Sequence, residues 1–174
     1  MPTRPATLPA PSADGAGRSA APPSPEQAPR DVAAFYQSAD ALCRCAMESC
    51  RQHERLAHLV KLGALPVEQR AAQTLVTICD DALADLAEAY ERATGKAHPN
   101  GGDACWHAAN GLWMASREFA RRTRTSDRAA RGIGERADRT QFSELALDYD
   151  LEASALLLLK QATEAYRKAR PNVV

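Results

Sequence analysis

From Asp31 onward the chain repeats one pattern four times. Apolar residues return every three or four positions, and glycine or proline punctuates the blocks. That spacing is the period of an amphipathic α-helix, and four such stripes must be buried against one another. The pattern predicts an all-α fold, an antiparallel four-helix bundle over residues 31–174. With 174 residues the chain suffices for one domain. Thirty-six alanines and an aromatic share of 5% favour helices over strands.

Residues 1–30 read differently. Eight of the eleven prolines fall there, and Met1 and Leu8 are the only apolar side chains larger than Ala and Pro. Such a segment cannot bury enough surface to offset its ordering entropy, so a disordered Pro/Ala-rich N-terminal tail is expected.

Each stripe can be traced. In the first helix, expected over about 31–62, Phe35, Ala39, Leu42, Ala46, Cys50, His53, Ala57 and Val60 share one face, with Arg44, Glu48 and Arg51 opposite. Gly63 is a natural stop and Pro66 a natural first-turn residue. In the second, Ala71, Leu75, Ile78, Cys79, Ala82, Leu86, Ala89 and Ala93 align, and residues 68–91 carry a local charge of −5. Gly95 can close that helix, and Asp103 can cap the third. Cys105, Ala109, Leu112, Ser116, Phe119 and Ala120 form the third stripe. Residues 117–139 hold eight Arg against four acids, and Gly132 and Gly134 make the segment read as partly loop.

The fourth helix, over about 140–170, is apolar on two sides. Phe142, Ala146, Tyr149, Ala153, Leu156 and Leu157 form one face, and Leu147, Leu151, Leu158, Ala162, Ala165 and Ala169 the other. One face suffices for a bundle. The second would leave an exposed patch, so a homodimer through Leu147, Leu151, Leu158 and Ala162 is expected.

Formal net charge is 0, which excludes a uniformly basic nucleic-acid clamp. No apolar run is long enough to span a bilayer, and no secretory signal is readable, so a cytoplasmic location without membrane contact is expected. Five cysteines, an odd number, do not fit a closed disulfide framework, so reduced thiols are expected. Arg outnumbers Lys by 18 to 4, which with the alanine excess points to a GC-rich coding sequence.

No phosphate loop, dinucleotide fingerprint, HExxH or Glu-x-x-His pair is present. The acid pairs Asp80-Asp81 and Asp148-Asp150 read as solvated charge. Two leads remain. Cys43, Met47, Cys50 and His53 edge toward one seam of the first helix, and thiolate, thioether and imidazole suit copper(I) or zinc. Packing of Cys as a small hydrophobe is the alternative. Arg121, Arg122, Arg124 and Arg128 can contact an anionic partner through bidentate guanidinium pairs, but Phe119 is the sole aromatic among them, which disfavours base stacking and nucleic acid. The resulting expectation is a non-catalytic interaction or scaffold protein with no cofactor, acting through helix faces. The alternative is a copper- or zinc-binding or thiol redox-sensing bundle.

Overall fold

A computed structural model describes residues 27–94, 103–133 and 138–170. It contains α1 (Gln27–Lys61), α2 (Pro66–Thr94), α3 (Ala104–Gly132) and α4 (Arg139–Ala169), and no strand among the described residues. Each helix runs antiparallel to its neighbours, so the four-helix bundle is as the periodicity requires. Among the described residues no helix is long and apolar enough to cross a membrane.

α1 begins at Gln27, four residues before the start expected for the first helix. Pro29 is compatible with this, because backbone N–H groups in a first helical turn have no intrahelical partner to lose. The rest of the expected tail, residues 1–26, lies outside the described residues, as do Gly95 and Gly134.

The other boundaries follow local chemistry. Gly63 takes φ +66°, the left-handed conformation that closes a helix. Ala64 N–H reaches Leu59 O at 3.0 Å and Gly63 N–H reaches Val60 O at 3.1 Å, satisfying the last carbonyls of α1. Glu68 then accepts the Leu65 backbone N–H at 3.1 Å as α2 starts. Asp103 caps α3 through the Trp106 N–H at 2.6 Å, as its position predicted. Asp138 and Gln141 form a reciprocal capping box on α4. α3 stays helical through Gly132, so most of the Arg-rich segment is helix rather than loop.

The core joins Phe35, Leu42 and Ala46 of α1, Leu83 and Tyr90 of α2, Leu112 and Phe119 of α3, and Leu159 and Tyr166 of α4. The α3 stripe is buried where expected, from Ala109 to Ala120, with Cys105 half-buried at its upper edge. The α1 stripe holds from Phe35 to Cys50, but Ala57 and Val60 are exposed beyond the core's lower end.

Two stripes are rotated. On α2 the buried residues are Ala72, Val76, Leu83, Ala84, Ala87 and Tyr90, whereas Leu75 and Ile78 are 40% and 57% exposed. Both stripes are apolar, and the one carrying Tyr90 wins. Its ring meets Phe35 at 5.7 Å and Trp113 at 6.2 Å, contacts no alanine could replace. On α4 the buried line is Ala155, Leu159, Thr163 and Tyr166, which runs between the two expected faces. Small Ala155 and Thr163 permit close approach, and the leucines flank the seam.

The upper half of the bundle, near the α2–α3 connection, is aromatic and apolar. The lower half is not. Below Cys50, Leu83, Phe119 and Ala155 the inward positions become His53, Asp80, Ser126 and Glu152.

Candidate functional site

The soft-donor line on α1 is spread along the helix rather than gathered at one point. Cys43 and Cys50 are buried, Met47 and His53 half-buried. Seven residues of helix separate the two thiols by about 10 Å along the axis, and ten separate Cys43 from His53 by about 15 Å. Ligand bonds of about 2 Å cannot span that. Among the described residues no group of three His, Cys, Asp or Glu side chains comes together to hold a metal. Burial pushes Cys43, Cys45 and Cys50 up to about 11, which disfavours their thiolates. The half-buried thiol of Cys45 instead donates to the Cys79 carbonyl at 3.8 Å.

His53 belongs to a different constellation. Its Nε2 lies 3.0 Å from Asp80 Oδ2, and Ser49 Oγ donates to Asp80 Oδ1 at 2.7 Å. Asp80 is the hub, with only 11% of its side chain exposed. A nucleophile relay needs the imidazole between hydroxyl and carboxylate. Here the carboxylate sits between them, so His53 cannot take the Ser49 proton. The spacing of Asp80 with Val76, Leu83 and Ala87 is the signal that places it on the inner seam. Reading Asp80-Asp81 as a solvated pair missed it.

At this lower end residues of all four helices line a cavity of about 360 Å³. Carboxylates of Asp80, Asp81, Asp127 and Glu152 line it together with Arg124 and Tyr149. Glu152 accepts a hydrogen bond from buried Ser126. The interior polar groups at this end are therefore held by helix-to-helix hydrogen bonds.

Between α2 and α3 on the outer surface runs a groove of about 830 Å³, with Ala84, Ala87 and Ala120 among its lining residues. Arg117, Arg121, Arg124 and Arg128 of α3 line it at spacings of four and three, all exposed, with the acid Glu118 among them. On α2, Glu88 and Glu91 line it, and exposed Asp81 and Asp85 continue that acidic row beyond the groove. The Arg117–Glu91 pair, closed at 3.3 Å, fixes the register. Stepping down both helices from it, Glu88 falls level with Arg121, Asp85 with Arg124 and Asp81 with Arg128, each within about one residue rise. Among the described residues Asp81, Asp85, Glu88, Arg124 and Arg128 make no ion pair. Arg121 is held by Glu118 at 2.7 and 2.8 Å. Arg117 also lies 5.2 Å from the Trp113 ring centre.

The expected anion-contact set is therefore divided. Arg121, Arg124 and Arg128 line the groove, while Arg122 turns away to share Glu118. The α4 set divides too. Leu147 and Leu158 are 59% and 55% exposed, Leu151 is half-buried, and Ala162 already packs on the core.

No protein family, no curated protein and no solved structure matches this chain.

Proposed function

We propose that the chain is a non-catalytic interaction protein that acts through its helix faces, and that the α2–α3 face does the work. One observation carries this reading: two level rows of opposite charge run along the groove, and five of their eight members make no ion pair among the described residues. A surface serving only solubility mixes signs along each helix, where i,i+4 pairs then form. Here one acid, Glu118, stands among the four arginines of the α3 wall, and α2 lines the groove with the carboxylates of Glu88 and Glu91 alone. A polyanion is a poor occupant, because Glu91 pairs with Arg117, Glu118 pairs with Arg121, and Glu88 lines the same groove. The fitting partner is a protein surface with both signs in matching order.

Site-specific photocrosslinking tests this. A photoreactive residue in place of exposed Thr125, which lines the groove, is expected to capture protein in the native host, and to do so less in high salt. The same residue at Arg55, exposed on α1, is the control. Equal or absent adducts at Thr125 would overturn the reading.

A further inference from the structure

We propose that the partner on the α2–α3 face is a second copy of this chain, related by a two-fold axis parallel to the helices. This rests on the reading above. Rotation about such an axis exchanges the columns of the face, so α2 of one copy meets α3 of the other. It also preserves height, so residues level within one chain stay level across the interface. Asp85 of one copy then faces Arg124 of the other, and Asp81 faces Arg128, each pair occurring twice. A two-fold axis perpendicular to the helices would set acids on acids and arginines on arginines. The charge pattern therefore selects one symmetric arrangement. It also identifies the occupant, since any other protein would have to carry the same two rows at the same heights, whereas a second copy carries them by construction.

The face is about two helix widths across and four turns long, so it buries on the order of 1,000 Å² in total. That size, with a charged perimeter, gives a micromolar, salt-sensitive dimer rather than an obligate one.

Sedimentation equilibrium of the full chain tests the arrangement with charge-swapped variants. Asp81, Asp85, Arg124 and Arg128 are exposed and outside every ion pair among the described residues, so changing them removes no bond the fold uses. The wild type is expected to dimerise at about 100 µM in low salt and to weaken about tenfold between 50 and 500 mM salt. Arg124→Glu with Arg128→Glu, and separately Asp81→Arg with Asp85→Arg, are each expected to be monomeric with unchanged circular dichroism. Mixed one to one, they are expected to restore a dimer of wild-type affinity. The neutral pair Asp85→Asn, Arg124→Gln is expected to weaken the dimer about tenfold without reversing any charge. A dimer that both charge-swapped variants leave intact overturns the proposal, as does a mixture that stays monomeric. A wild-type monomer whose Thr125 derivative still captures another protein overturns self-association alone. A wild-type monomer with no such capture overturns the interaction reading as well.

Discussion

Asp40 and Arg170, 130 positions apart, form a two-pronged ion pair at 2.8 and 3.0 Å that ties the start of α1 to the end of α4. Tyr166 donates its hydroxyl to the same carboxylate at 2.6 Å, and the guanidinium lies 4.3 Å from the Tyr36 ring centre. Two groups, through three hydrogen bonds, thus depend on one carboxylate, and one of them is the hydroxyl of fully buried Tyr166. Asp40→Ala strands a buried hydroxyl and a half-buried guanidinium, and is expected to cost about 2–4 kcal/mol. Tyr166→Phe removes one hydrogen bond and leaves the carboxylate paired, so about 1–1.5 kcal/mol is expected. Urea unfolding of both variants checks the order. An Asp40→Ala loss smaller than that of Tyr166→Phe would show that the carboxylate is not the hub.

The rotated face of α2 predicts opposite outcomes for two apolar side chains five residues apart. Leu83 is fully buried, and Leu83→Ala is expected to cost about 2–5 kcal/mol by transfer and cavity terms. Ile78 is 57% exposed, so Ile78→Ala is expected to change stability by about 0.5 kcal/mol or less. Equal losses would return α2 to the orientation its Leu75–Ile78 stripe suggests.

Glu118 accepts hydrogen bonds from Arg121 and Arg122, and these hold its carboxyl down at about 2. A depressed carboxyl stabilises the fold above its unfolded value near 4.5 and loses that contribution as pH falls toward 2. The group is 40% exposed, and screening by water limits the contribution to about 1 kcal/mol. Glu118→Gln is therefore expected to cost up to that amount at pH 7 and nothing near pH 2. A loss independent of pH would assign the effect to packing.

The thiols titrate in the opposite sense. Cys43 and Cys50 rise to about 11 because burial disfavours the thiolate. The neutral thiol is the form the fold prefers, so its contribution is complete below pH 9 and is lost as pH rises toward 11. Urea midpoints are expected to fall across that window, and less so in a Cys43→Ala, Cys50→Ala background once its own lower midpoint is allowed for. In native alkylation, half-buried Cys79 and Cys105 are expected to react before Cys43 and Cys50. Cys79 belongs to the Leu75–Ala82 stripe, and the rotation of α2 moves that stripe to the flank. Labelling of Cys43 ahead of Cys79 would contradict the burial order.

The candidate face was half legible. The spacing of Arg117, Arg121, Arg124 and Arg128 is itself helical, but Gly132 and Gly134 made that stretch read as connection. The acids of α2 are legible as the local charge of −5 over residues 68–91. That the two rows stand beside each other at matching heights needed the Arg117–Glu91 register, which is a tertiary fact. One constraint on the metal line was already in the sequence: Cys43 stands seven and ten residues from Cys50 and His53, too far along one helix axis for all three to share one ion.

Local rules acting within a few residues determined the four helices, the Gly63 stop, the Asp103 cap and the inward face of α3. There, period, propensity and capping all favoured one answer. The sequence could not choose the inward face of α2 or α4, because each helix carries more than one apolar stripe and an isolated helix has no preference among them. Tertiary packing chose, by seating Tyr90 between Phe35 and Trp113 and by anchoring Tyr166 on Asp40. A helix turns inward the face whose large side chains find partners, and those partners lie on other helices, dozens of residues away.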